Sequence, residues 1–208
     1  MSLFITFEGG EGCGKSTQAR ALHRRLMRGG RDALLLHEPG GTSLGKSISH
    51  WLKWRKGVGA TPLAELLLFN ASRANLVAEV IRPALRQERV VICDRFVDST
   101  IAYQGYGRGL DLNTVKSVCH TATEGLGPDL TFLLDISVEE GLARKDRMRS
   151  GRDRFEQEDL AFHRRVRDAY LAMAKEEPER WLVLDARLPR AELGLQIWER
   201  TQKLLTVT

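Results

Sequence analysis

The sequence predicts a doubly wound α/β fold built on a five-stranded parallel sheet with helices on both faces, and three observations carry this. Short β-rich apolar runs recur along the chain: LFITFE (3–8), DALLLHE (32–38), VVICDR (90–95), DLTFLLDI (129–136) and RWLVLDA (180–186). These runs are continuous rather than alternating, the pattern of strands covered on both faces. Longer amphipathic stretches separate them, and strands that alternate with helices pair in parallel through crossover connections.

Each helical stretch has its own punctuation. KSTQARALHRRLMRG (15–29) sets Ala19, Leu22 and Leu26, with the flanking Ala21, near one face, and a Gly-Gly pair ends it. A helix is expected over 43–54. Another is expected over 61–85, opening on Thr61-Pro62 and kinked or stopped by Pro83. Ser137 and Glu140 form a capping-box pattern at the head of 137–149. Long amphipathic patterns over 155–177 and 189–205 supply the last two helices. No repeat, low-complexity tract or linker interrupts the chain, so residues 1–208 read as one domain.

The 208 residues, 42% apolar, are enough for one full core. Thirty-two basic against twenty-seven acidic side chains give a net charge of +5, which suits any polyanion: nucleic acid, a membrane surface or free nucleotides. There is no apolar run of spanning length, and the N-terminus lacks a basic flank and an apolar export segment. A soluble, cytoplasmic protein is therefore expected, with no membrane partner. Cys13, Cys93 and Cys119 show neither a C-x-x-C pair nor zinc-ligand spacing, which fits free thiols in a reducing compartment. Cys13 reads as a small residue that fits a tight loop, in preference to a reactive thiol.

The chemistry begins in FEGGEGCGKSTQ (7–18). Gly9, four residues, then Gly14-Lys15-Ser16 satisfies the Walker A spacing, with a strand before it and a helix opening within it. Glycines let successive N–H groups turn inward on phosphate oxygens, and the helix N-terminus adds its dipole. Gly9, Gly10, Glu11, Gly12, Cys13, Gly14, Lys15, Ser16 and Thr17 thus form the expected ATP loop. Lys15 reaches the β- and γ-phosphates, and the Ser16 hydroxyl serves Mg²⁺. The bland alternative is a glycine turn that merely starts a helix. No N/T-K-x-D guanine signature is present, and the motifs of helicases and transporters are missing. A small basic domain of this kind points to a nucleotide kinase, which needs a second, anionic acceptor site and an arginine lid.

VICDRFVDSTIAYQGYGRGLD (91–111) offers that second site. Asp94 and Arg95 end a buried strand, where open α/β sheets gather ligands. An Arg there presents a bidentate fork to a phosphate, and an Asp beside the loop can orient the water molecules of a metal ion. The dipeptide alone reads equally as a surface ion pair. The longer string does not: I-C-D-R-F, then Ser99, then A-Y-Q resembles the signature of the thymidylate kinase family without a mismatch. EPGGT (38–42), LLLFNASRANLV (66–77), DRFEQED (153–159) and YQGYGRGLD (103–111) resemble further family segments, in order and with family spacing, from about Phe4 to Tyr170. The final helix carries little of this signal.

The resemblance implies a P-loop nucleoside monophosphate kinase fold, Mg²⁺-dependent transfer of phosphate from ATP to dTMP, and a homodimer paired through the helices around 43–85. By position it also assigns the acceptor site. Phe69 stacks on thymine and Arg73 donates to it. Ser99 and Gln104 meet the polar edge of the base, Tyr103 closes the deoxyribose side, and Arg95 grips the 5′-phosphate. Glu38 and Pro39 shape that wall, and Glu11 faces the acceptor sugar. An aromatic and an Arg four residues apart do share one helix face. From spacing alone, though, Phe69 and Arg73 read as a core residue and a solvated charge.

The lid falls at about 144–156, where RKDRMRSGRDRFE carries five arginines around a Ser150-Gly151 hinge. A positioned arginine can contribute roughly 10³ to 10⁵ in phosphoryl-transfer rate. Positions 10–13 of the Walker loop contain none. In this family the catalytic arginine comes from the loop or the lid, so the resemblance implies the bacterial lid type. Arg149 and then Arg152 are expected to be catalytic, Arg144 to lie against adenine, and Arg147 to be a solvated helix end. Two other readings remain: another nucleotide or deoxynucleoside kinase, and a basic P-loop switch protein that binds nucleic acid. The second lacks any accompanying nucleic-acid signature, so no nucleic-acid partner is expected.

Overall fold

The structure, a computed structural model, describes residues 2–54, 59–147 and 153–206. Five strands, β1 (Leu3–Glu8), β2 (Ala33–His37), β3 (Val90–Asp94), β4 (Leu130–Asp135) and β5 (Trp181–Asp185), form one sheet in the order β2-β3-β1-β4-β5. Every pairing is parallel, with Phe7 opposite Asp94 and Glu8 opposite Leu133. Each strand lies within two residues of its expected position at either end. β1 sits in the centre, where the strand order reverses, so the crevice beyond its carboxyl end is the natural ligand site of such a sheet.

The helices are α1 (Lys15–Arg28), α2 (Ser43–Trp54), α3 (Pro62–Leu76), α4 (Arg82–Arg86), α5 (Val97–Thr100), α6 (Leu112–Thr123), α7 (Val138–Arg147), α8 (Leu160–Glu176) and α9 (Arg190–Thr206). Alternate residues of β1 point to opposite faces. Leu3, Ile5 and Phe7 pack with Leu22 and Leu26 of α1 and Ile197 of α9. Phe4 packs on the other face with Leu76 and Ile81, and a neighbouring cluster joins Tyr103, Phe162, Val166 and Tyr170. Leu26 is fully buried, so truncating it to Ala would cost about 2–5 kcal/mol. Among the described residues no helix is long and apolar enough to cross a membrane.

Three elements differ from expectation. Pro83 does not stop the helix over 61–85. A π-helical turn, Val77–Ile81, opens the ladder ahead of it, with the Arg82 N–H donating five residues back to the Val77 carbonyl. That accommodates a ring that would otherwise clash with the carbonyl of Glu79. The helix expected from 155 begins at Leu160 because Asp159 caps it, accepting the Phe162 N–H at 2.6 Å, while Phe155–Glu158 form turns. Finally, residues 97–123, which carried no predicted helix, form α5, a second π segment (Ile101–Gly107) and α6. Gly107 allows close packing there, since a Cβ would meet the Phe162 ring at 2.7 Å.

Candidate active site

The glycine loop leaves β1 and enters α1. Gly14 is the N-cap of α1 at φ 98°, and Gly12 takes φ 65°. A Cβ on Gly12 would sit 2.0 Å from the carbonyl oxygen of Gly141 in α7, so loop and lid helix touch backbone to backbone. Lys15 is buried, and its ammonium spans the loop, donating to the carbonyls of Gly9 (3.0 Å) and Gly10 (2.6 Å). Cys13 is also buried and donates to the Gly10 carbonyl at 3.1 Å, which is the packing role expected of it. Thr17 lies in the first turn of α1 and lines the cleft. Ser16 donates to the Asp94 carboxylate at the end of β3. Two hard oxygen donors side by side, with no group of three or more metal-ligating side chains among the described residues, fit Mg²⁺, which takes few protein ligands and keeps water and substrate phosphates.

From this loop a cleft of about 360 Å³ runs past Arg95 to Phe69 and Arg73. Arg95 stands at φ 73°, rare for a residue with a side chain, and its N–H holds the Phe7 carbonyl at 3.0 Å. Its Nη2 meets Glu11 at 2.8 Å and the Tyr103 hydroxyl at 3.2 Å, while Nη1 reaches Ser99 at 3.1 Å and Tyr170 at 3.3 Å. Tyr103 in turn donates to Glu11 at 2.6 Å. Burial alone would push Glu11 up. Arg95, Lys15 and the Tyr103 hydroxyl outweigh it and hold the carboxyl at about 2. Burial likewise opposes the charge on Arg95, but the facing Tyr103, Glu11 and Tyr170 oxygens raise it well above its ordinary value. A charged guanidinium is thus held in the cleft by one carboxylate that a phosphate could replace.

The far end is fixed differently. Arg73, with 2% of its surface exposed, donates through Nε to Glu38 at 2.8 Å, through Nη1 to Asn70 at 3.1 Å, and through Nη2 to the Phe96 carbonyl and Thr100. Burial pushes Glu38 up, against the pull of Arg73. Nη1 is the least committed nitrogen, since its other contact is Cys119 Sγ at 3.9 Å. Phe69 is half-buried, its ring 5.6 Å from Phe155, and Pro39 and Gln104 complete the lining. Gln104 donates to Glu65 at 3.3 Å. The structure thus gathers Glu11, Glu38, Pro39, Phe69, Arg73, Arg95, Ser99, Tyr103 and Gln104 around one cleft with the Walker loop. Within this cleft the Ser99 hydroxyl contacts Glu8, Tyr170 and Arg95.

Of the lid, Arg149 and Arg152 lie outside the described residues. Arg144 donates to the Ala186 carbonyl at 2.9 Å, just past β5, and Arg147 is exposed. Downstream, Asp153 and Glu156 cap one another's backbone, and Lys145 pairs with Glu156 at 2.9 Å. Arg154 donates to the Leu52 carbonyl at 3.1 Å and to Glu65 at 2.7 Å. Asp153, Arg154 and Glu156 are thus engaged with the protein's own groups. Sequence reasoning missed Glu8, Tyr170, Glu65 and Phe155. Only Glu8 left a signal, as a carboxylate ending an otherwise apolar strand.

A model of the family described as thymidylate kinase matches residues 7–197, which carries the likeness well into α9, beyond Tyr170. A thymidylate kinase of Dehalococcoides mccartyi is 55% identical over 205 residues, covering 99% of this chain and 98% of its own. That of Thermomicrobium roseum is 49% identical, covering 99% and 97%. The crystal structure of thymidylate kinase from Ehrlichia chaffeensis superposes with a TM-score of 0.77 at 36% identity, over 96% of this chain and 98% of that one. The chain belongs to the thymidylate kinase family.

Proposed function

We propose that the cleft is the active site in which this dTMP kinase, transferring the γ-phosphoryl group of ATP to dTMP, holds its two substrates end to end. The observation that carries this reading is the Arg95–Glu11 pair, a guanidinium facing the Walker loop across one open cleft. ATP lies on the loop from Gly9 to Thr17, with Lys15 on the β- and γ-phosphates and Arg144 beside adenine. The dTMP phosphate displaces Glu11 from Arg95, and the freed carboxylate turns to the acceptor sugar. Phe69 stacks on the base, and Arg73 meets its edge through Nη1.

Ser16, and Asp94 through water, would hold Mg²⁺, which would supply neutralising charge to the transferring phosphates. The chain's own residues do the rest. Lys15 and Arg95 hold donor and acceptor in line, which removes most of the entropic barrier. Arg149, or Arg152 in its place, completes the charge stabilisation when the lid closes and water is excluded. Chemistry of this kind needs no covalent intermediate. The reading takes residues 1–208 as one cytoplasmic domain without a nucleic-acid partner. Leu44, Leu63 and Leu67 on α2 and α3 are each about half exposed, which favours a homodimer through that face.

A coupled assay of ADP release tests the reading with dTMP, dUMP, dGMP, AMP and no acceptor. Turnover with dTMP well above the others is expected, with some leakage to dUMP, because one methyl group discriminates by roughly 1–3 kcal/mol. Equal ADP release without acceptor contradicts it.

A further inference from the structure

Glu8 is buried at the end of β1 and does not line the cleft, yet it is tied to the acceptor end by three hydrogen bonds. Oε1 accepts the Phe96 N–H at 2.7 Å, and Oε2 accepts the Ser99 hydroxyl at 2.6 Å and the Tyr170 hydroxyl at 2.9 Å. Both hydroxyls also accept from Arg95 Nη1. They lie 2.8 Å from each other, so either can donate to the other. A hydroxyl carries one proton. If that proton faces Glu8, its lone pairs are free for the guanidinium. If Glu8 is protonated and donates to one hydroxyl, that hydroxyl must turn its own proton onto the other, and the negative charge beneath Arg95 is gone.

We propose that Glu8 is a positioning residue for Arg95: an ionised carboxylate beneath the cleft that draws the Ser99 and Tyr170 protons and turns their lone pairs onto the guanidinium. It aims Arg95 at the acceptor phosphate once Glu11 has been displaced, and so it rests on the reading of Arg95 given above. The groups facing Glu8 come from several sides: Asp98 on α5, Cys93 of β3 and Arg95 just after it, Arg73 from α3 and Tyr170 from α8. Burial, reinforced by Asp98, pushes the Glu8 carboxyl up to about 7, against the pull of Arg95, Ser99 and the Phe96 N–H. The competent ionised form therefore fills as pH rises through neutrality.

Steady-state kinetics of wild type, Glu8→Gln, Tyr170→Phe and Arg95→Ala test this across the near-neutral range. The phosphate of dTMP titrates there too, so the quantity read is the ratio of kcat/KM for dTMP, wild type over Glu8→Gln. A glutamine that accepts the Phe96 N–H presents its amide hydrogens to both hydroxyls and reverses them. It is expected to raise the KM for dTMP about tenfold with little change in that for ATP, and the ratio should climb with pH through about 7. Tyr170→Phe, which keeps the packing, is expected to raise the dTMP KM roughly threefold. A flat ratio, or equal loss of dTMP and ATP binding, makes Glu8 a mere pin for the β3–α5 turn and overturns the proposal. So does an unchanged dTMP KM in Tyr170→Phe, which decides the matter if Glu8→Gln does not fold. An unchanged dTMP KM in Arg95→Ala removes the reading of Arg95. Loss there with none in Glu8→Gln removes this inference alone.

Discussion

The two ends of the cleft are built from different materials. The Walker-loop end, proposed for the donor, is mostly main chain: glycine carbonyls that Lys15 spans, the N-terminus of α1, and a backbone contact between Gly12 and Gly141. The end proposed for the acceptor is mostly side chain, with Glu8, Glu11, Arg95, Ser99, Tyr103 and Tyr170 tied together from β1, the loops after β1 and β3, α5, the π segment and α8. A backbone cradle is specified by local steric demands. A side-chain network is specified by the fold that brings its members together. The first has no room for a Cβ at Gly9 or Gly12, and the second tolerates no loss of charge balance.

Substitutions at each end should break the molecule in different ways. The largest effect belongs to Lys15→Ala, expected to lower kcat by about 10³-fold or more while leaving thermal unfolding near that of wild type. Near-normal turnover in a single-turnover assay would dismiss the phosphate-loop assignment. Gly12→Ala should act through geometry, because its Cβ would enter the carbonyl of Gly141 at 2.0 Å and φ is 65°. Loss of ATP affinity together with a fall in Tm is expected from calorimetry, and unaltered ATP binding would show that the loop and α7 give way easily.

At the acceptor end the signature is pH. Glu11, held at about 2 against an ordinary 4.5, contributes stability that is full above about 4.5 and lost as pH falls towards 2. In urea unfolding, Glu11→Gln should be less stable than wild type near neutrality by about 3 kcal/mol, a difference that closes on acidification. A difference independent of pH would mean that the ion pair with Arg95 is not its source. The smallest effect is expected of Arg154→Ala. Glu65 keeps Arg108 at 3.1 Å, so the lid anchor should loosen without collapsing, with kcat down roughly threefold and dTMP affinity nearly unchanged. A fall in kcat as large as that of Lys15→Ala would make Arg154 part of the chemistry.

The same contrast explains what could be read in advance. The strands and the glycine loop were legible because continuous burial and the Gly-Lys-Ser spacing are local properties of the chain. The acceptor residues Phe69, Arg73, Arg95 and Tyr103 were reached through resemblance, since spacing alone reads Phe69 and Arg73 as core and surface. The contacts of Ser99 with Glu8 and Tyr170 were not legible because those partners lie 91 and 71 residues away. The π turn before Pro83 and the helix after Arg95 were missed for a related reason: packing, not propensity, makes them.

The most direct test of the end-to-end arrangement is a crystal structure with dTMP and a non-hydrolysable ATP analogue. The Arg95 guanidinium should have left Glu11 for the dTMP phosphate, with the triphosphate on Lys15 and the two reacting groups in line. Arg95 still paired with Glu11, and the dTMP phosphate bound elsewhere, would contradict the account.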